Sequence, residues 1–221
     1  MKRLRSISVV MAFIAIAWCG TPADAAGESA ALAKAIDGLQ RHYRETRSFS
    51  AKFTEEIVPV GATKRDRSGT VYFLKPGRMR WEFDEPSKEL IVSDGTQLYN
   101  YDPELNQVVE APLAQTLRAP GATEFLLGVG DVKKDFNAAL MDGPDSALIH
   151  LKLVSKGQGN TIELRLDPKN YNVETIRVVD QLGNSTALKF SDIVNNSPIS
   201  ESMFRFSPPA GADIVKPEPS K

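Results

Sequence analysis

The sequence predicts a mainly β, α+β fold: one large antiparallel sheet or barrel of about ten strands, with a few helices gathered on one side. Three observations carry this expectation. From Phe49 onward apolar residues recur with a period of two, the spacing of strands with one buried face, and short turn clusters punctuate the runs. Between Ser29 and Arg47 the apolar spacing is three and four residues, that of a helix. The stretches that break the alternation later on, 112–119 and 122–128, are short and adjacent in the chain. There is no internal repeat and no low-complexity block.

The chain opens with Lys2, Arg3 and Arg5, followed by an apolar run from Ile7 to Trp18 and the small residues TPADAA. That run is too short for a membrane span, which needs about 20 residues. Ala23-Asp24-Ala25 has the form of a signal-peptide cleavage site, so residues 1–25 are expected to be removed and 26–221 to form a single exported domain. A lipoprotein cut before Cys19 is disfavoured, because bulky Trp18 stands where such signals need a small residue. Cys19 is the only cysteine, so the processed chain must be held by its core without disulfides. Cleavage leaves 24 Lys and Arg against 27 Asp and Glu, a net charge of −3. That balance argues against a nucleic-acid partner, whose footprint is a basic excess.

The first element expected is the helix at Ser29–Arg47, with Ser29 as N-cap and Leu32, Ile36, Leu39 and Tyr43 as its apolar stripe. Ser50–Ile57 alternates as a strand, and Val58–Ser68 reads as a loop carrying the basic cluster Lys64, Arg65 and Arg67. Gly69–Lys75 and Arg78–Phe83 read as a hairpin about Pro76-Gly77. A two-residue turn there would set Tyr72 opposite Trp81 and Leu74 opposite Met79. Glu89–Ser93, Asp94-Gly95 and Thr96–Tyr101 give the strongest hairpin pattern in the chain, with Ile91 expected opposite Leu98 and Leu90 opposite Tyr99. Asp102–Asn106 turns into the strand Gln107–Ala111, completing a meander.

Pro112–Ala119 and Ala122–Gly128 read as short helical pieces bearing Leu113, Leu117, Phe125, Leu126 and Leu127. Strands are expected again at 139–141, 147–154, 161–167, 173–179 and 186–193, and a last short one at Phe204–Phe206.

Chemistry-bearing motifs are sparse. There is no G-x-S-x-G elbow, no G-x-G-x-x-G and no P-loop. His42 and His150 stand apart from each other and from any metal-ligand spacing. The neighbouring acids Glu55/Glu56 and Asp84/Glu85 point to opposite faces of a strand and cannot work together as acid and base. The pattern therefore favours a binding protein over an enzyme. What is abundant is bulky apolar material. In RMRWEFDEP the charged residues alternate with Met79, Trp81 and Phe83. Pattern alone leaves two readings open for that face: an ordinary packed core, or a cavity for a greasy ligand.

The stretch KPGRMRWEFDEPSKELIVSDGTQLYNYDPELNQV followed by PLAQTL resembles the LolA family of periplasmic lipoprotein carriers of Gram-negative bacteria. The shared marks are a Pro after a basic residue, an M-x-W strand, the I-V-S-D-G hairpin and the Y-D-P turn. TEFLLG resembles the family's T-P-x-x-L-L segment with Glu124 in place of Pro, and FRFSPPAGADIV resembles its F-x-F-x-P-P-x-G tail. The likeness is strongest over 75–107 and 204–215 and spans nearly all of the processed chain.

The resemblance implies an unclosed antiparallel β-barrel of ten or eleven strands with an α-helical lid. Acyl chains of lipoproteins would ride between the two, lined by Tyr72, Leu74, Met79, Trp81, Phe83, Ile91 and Leu98. The lid would present Leu32, Ile36, Leu39, Leu113, Leu117, Phe125, Leu126 and Leu127. It further implies a monomer without cofactor or metal, loaded by an inner-membrane ABC transporter of the LolCDE type and unloaded by an outer-membrane LolB-type receptor. In the best-studied members an Arg before the Pro hydrogen-bonds the lid and holds it shut. Here that residue is Lys75, which can donate to a carbonyl but lacks the planar fork of Arg. The other readings are a LolA-like carrier or sensor for a glycolipid or hopanoid-like lipid, an enzyme acting on lipid or cell-wall polymer, and a scaffold with a filled core.

Overall fold

The computed structural model describes residues 23–84, 86–116, 131–157 and 159–217. A helix α1 (Ala23–Glu45) precedes a 12-stranded sheet. The strands are β1 (Ser48–Val58), β2 (Arg65–Leu74), β3 (Arg78–Phe83), β4 (Leu90–Asp94), β5 (Gln97–Asp102) and β6 (Gln107–Pro112). After the short helices α2 (Leu113–Thr116) and α3 (Val132–Asp135) come β7 (Phe136–Leu140), β8 (Ile149–Ser155), β9 (Thr161–Leu166), β10 (Val173–Val179), β11 (Ser185–Asn195) and β12 (Asp213–Val215). The spatial order is β12-β6-β5-β4-β3-β2-β1-β11-β10-β9-β8-β7. Only the β12–β6 pair is parallel. The end strands β12 and β7 do not pair, so the curved sheet stays open.

The helix forms where the sequence places its stripe. Ala35, Ile36, Leu39 and Tyr43 are buried against one face of the sheet, with Leu32 packed on the same cluster. We call that the inner face. β1 is long and central, and its register against β11 shifts between Ser50 and Lys52, an irregularity that bends a strand and adds curvature. The outer face of β3–β6 is covered differently. After Ser200 caps a 3₁₀ turn (Glu201–Phe204), the chain crosses that face and ends in β12 beside β6. Phe204 is 1% exposed, and Val92 and Val108, on the outer face, are fully buried. Phe206 lies against Tyr99 and Tyr101, with ring centroids 5.4 and 6.1 Å apart.

Several expectations are corrected. β2 begins at Arg65, four residues before the expected Gly69, because Arg65–Ser68 pair with Thr54–Ile57 of β1. The β2–β3 connection is three residues long: Leu74 pairs with Arg78, and Lys75 N instead donates to Arg47 O at 2.9 Å. Val71 therefore sits opposite Trp81 and Phe73 opposite Met79, while Tyr72 and Leu74 pair with Arg80 and Arg78 on the outer face. A one-residue slip turns every side chain of a strand over.

The β4–β5 connection is Gly95-Thr96, one residue later than the expected Asp94-Gly95, since Ser93 pairs with Leu98 and Ile91 with Asn100. Asp94 Oδ1 accepts from Thr96 N and Gln97 N at 2.7 and 2.8 Å, a side-chain turn that braces this short connection. β7 spans 136–140 where 139–141 was expected, and the residues around Phe204 form a 3₁₀ turn in place of a strand. The parallel strand β12 was not expected.

Candidate functional site

The inner face of β11, β1, β2 and β3 is a floor of aromatic rings. It arises from the alternation Phe49-Ala51-Phe53 in β1, Val71-Phe73 in β2 and Met79-Trp81-Phe83 in β3, with Phe190 from β11. Phe53 meets Trp81 and Phe83 edge-on at 4.9 and 5.2 Å, and Phe73 meets Trp81 at 5.8 Å. Phe49 bridges Phe73 and Phe190, both at 5.9 Å. Edge-to-face contacts suit the ring quadrupoles and add to the gain from burial. Met79, with its unbranched and polarizable side chain, fills the floor at 2% exposure.

Of the expected cavity residues, Met79, Trp81, Phe83 and Leu98 come together in this core, with Ile91 packed against it. Tyr72 and Leu74 lie on the other face; Val71 and Phe73 take their place. Sequence reading missed Phe49, Phe53, Phe73 and Phe190. The period-two Phe49-Ala51-Phe53 pattern was the signal for the first two. Of the expected lid residues, Ile36 and Leu39 cover the floor, Leu32 packs beside them and Leu113 is 5% exposed. Leu117, Phe125, Leu126 and Leu127 lie outside the described residues.

The polar contacts that tie α1 down run through side chains, among them the bonds of His42 to Asn172 and of the Tyr43 hydroxyl to the Val173 backbone. Lys75 donates from Nζ to the Tyr43 carbonyl in the last turn of α1, where the helix dipole also favours a cation. Burial pushes the Lys75 ammonium below its usual pKa. Farther along, Asp37 pairs with Lys133 at 2.6 Å and Gln40 donates to Asp131 Oδ1 at 3.1 Å. Gly38 lets α1 sit close on the β9–β10 connection: a Cβ there would stand 2.2 Å from the Tyr171 ring. His42, half-buried on α1, is held below its ordinary pKa, chiefly by burial and further by the Lys75 charge, against the opposing pull of Asn172 and Glu45. The Tyr43 phenol is pushed up by burial.

At the far end of the floor Arg67 lies over the Phe83 ring, 4.2 Å from its centroid, gripped by Glu55 and Glu89 at 2.7 and 2.8 Å. Lys64 pairs with Glu56 and Asp66, so the expected basic cluster is largely occupied by its own carboxylates. Two recesses flank the covered floor. One of about 590 Å³ lies between α1 at Ala31–Ala35, the ends of β7 and β8, and Tyr171; one of about 530 Å³ opens beside Glu55, Arg67 and Leu188. His150 is buried, with Nε2 2.8 Å from Asp145 O. Among the described residues, no three His, Cys, Asp or Glu side chains gather as a metal site.

This arrangement presents an apolar surface suited to hydrocarbon, and among the described residues it brings no acid, base and nucleophile together. The fold is similar to that of an uncharacterized conserved protein from Thermus thermophilus, with a TM-score of 0.54 at 16% identity over 85% of this chain and 99% of that one. An outer-membrane lipoprotein carrier protein of Methylibium petroleiphilum is 33% identical over 199 residues, 90% of this chain and 96% of its own. The protein of the same name in Dechloromonas aromatica is 31% identical over 83% of this chain and 88% of its own. The model of the family "Outer membrane lipoprotein carrier protein LolA" matches residues 44–207. The chain belongs to the LolA family of lipoprotein carriers.

Proposed function

We propose that this protein works in the periplasm, shielding lipoprotein acyl chains on its inner face between an inner-membrane ABC transporter of the LolCDE type and an outer-membrane LolB-type receptor. The observation that supports this is the ring floor: a continuous apolar surface under a helix whose polar bonds to its neighbours run through side chains. Each methylene kept from water is worth about 0.8 kcal/mol, so crossing an aqueous gap with bare acyl chains would cost on the order of tens of kcal/mol. A bilayer solvates the same chains equally well. The carrier must therefore hold its cargo loosely, and α1, packed on the floor when no cargo is present, supplies the competition. Acyl chains displace the helical cover, and the cover displaces them in turn at delivery. Lys75 acts as the latch on that cover.

Depletion of the protein tests this reading. Outer-membrane lipoproteins are expected to accumulate in the inner membrane, and normal sorting would contradict it. Met79→Glu and Trp81→Glu, with folding checked by circular dichroism, are expected to lose lipoprotein loading. Mass spectrometry of material co-purified from the exporting cell distinguishes acylated protein from glycolipid or hopanoid-like cargo.

A further inference from the structure

Among the described residues two buried side-chain oxygens accept no hydrogen bond, Asn195 Oδ1 and Asn100 Oδ1. Asn195, opposite Phe49, is held in place by its Nδ2, which donates to Asn172 Oδ1 at 2.7 Å; Asn100 lies at the other side of the ring floor. Trp81 pairs with Ile91 across β3–β4, Ile91 with Asn100 across β4–β5, and Asn100 with Val109 across β5–β6. These four residues form a row across the inner face, apolar except for Asn100. Strands lie about 4.8 Å apart, so Asn100 stands roughly 10 Å from Trp81 along the row. Its Oδ1 is shielded from solvent and accepts no hydrogen bond. The neighbouring Ser93, also on the inner face and fully buried, is engaged differently: its Oγ accepts from Gly95 N at 3.1 Å. A buried acceptor without a partner is costly, and an apolar side chain of similar size would fill the row without that cost.

We propose that Asn100 determines specificity for acylated peptides by accepting a hydrogen bond from the amide N–H that joins acyl chain to peptide. The inference deepens the carrier reading above and rests on it. A purely apolar floor cannot tell the chains of a lipoprotein from those of a membrane lipid. An amide oxygen can, because it only accepts. The esters that link acyl chains to glycerol are acceptors as well and leave Oδ1 unpaired, whereas an N-acyl amide or the first peptide N–H satisfies it. Discrimination arises because the wrong ligand leaves the buried group unmet.

The test uses two synthetic probes: an N-palmitoyl hexapeptide, and its analogue with the N-acyl N–H replaced by an ester oxygen. Binding of each to the wild-type protein and to Asn100→Leu is measured by isothermal titration calorimetry. Wild type is expected to bind the amide probe about tenfold more tightly than the ester, and the variant to bind both alike. Equal binding of the two probes by wild type overturns the assignment even if the variant fails to fold, and leaves the carrier reading standing. A preference that survives unchanged in Asn100→Leu also overturns it. If wild type binds neither probe, the acyl-site reading itself fails, and the role of Asn100 with it.

Discussion

The two faces of the sheet are both apolar and both covered, yet the covers are attached in different ways. On the outer face of β3–β6 the C-terminal segment is stitched on through main chain and side chain together. β12 runs along β6, Asp213 N donates to Asn106 O, Asn106 Nδ2 donates to Gly211 O, and Arg80 donates to Met203 O. Gln107 also donates to Asp213, and Arg78 and Lys216 face Glu201 and Glu110. On the inner face a helix satisfies most of its own backbone, and each bond to its neighbours runs through a side chain, the Lys75 bond to the Tyr43 carbonyl included. The hydrophobic drive is the same on both sides. What differs is the kind of polar group that must be unpaired to lift each cover, a main-chain ladder on the outer face and side-chain bonds on the inner, and on the proposed function the inner cover is the one expected to yield to a ligand.

The largest expected effects come from truncating the anchor of each cover. Phe204→Ala should cost about 3–5 kcal/mol in chemical denaturation without changing the affinity of the remaining folded protein for an acyl probe. Leu39→Ala removes a fully buried side chain of α1. It should cost about 2–5 kcal/mol and, unlike the first, should raise acyl affinity, because the closed state that competes with the ligand is weakened. If both substitutions changed affinity alike, the contrast between the covers would break. Next in size is Gly38→Ala, which drives a methyl into the Tyr171 ring. An overpacking cost of about 1–3 kcal/mol is expected, with faster hydrogen exchange in α1 but not in β12.

The proposed latch at Lys75 makes a smaller contribution. Lys75→Met deletes the bond to the Tyr43 carbonyl and should cost about 0.5–1.5 kcal/mol while loosening α1. Lys75→Arg tests how well the shorter reach of the ammonium is matched, and an unchanged α1 exchange rate in both variants would remove the latch. The smallest effect is a pH dependence. His42 is held below 6.5 in the folded protein. As pH falls below 6.5 the unfolded chain takes up a proton before the folded one does, so stability is lost on acidification through that range. His42→Gln should flatten this slope, and α1 should exchange faster in mild acid while β12 does not.

Much of the fold was legible because each strand's faces are unequal. The alternation in 78–83 placed Met79, Trp81 and Phe83 on one side, and they are together there. The helical stripe Ile36-Leu39-Tyr43 was equally plain. Registers were not legible, because they depend on connections whose length is set by contacts remote in sequence. Lys75 leaves the β2 ladder to bond Arg47, which moves Tyr72 and Leu74 to the outer face. Asp94 takes two backbone amides, and the turn falls one residue later, at Gly95-Thr96. The outer cover was hidden for the same reason: β12 pairs with a strand about a hundred residues away, in parallel, and a three-residue segment carries no periodic pattern. Asn100 could have been found by counting, since it lies two residues from inward-facing Leu98 and so on the same face.

The most direct test of the central claim, that acyl chains occupy the inner face after displacing α1, is photo-crosslinking with a lipopeptide carrying a diazirine at the end of its acyl chain, read by residue-level mass spectrometry. Labels are expected on Phe53, Phe73, Met79 and Trp81 and on the buried stripe of α1. Labels confined to Tyr99, Phe204 and Phe206 on the outer face would contradict it.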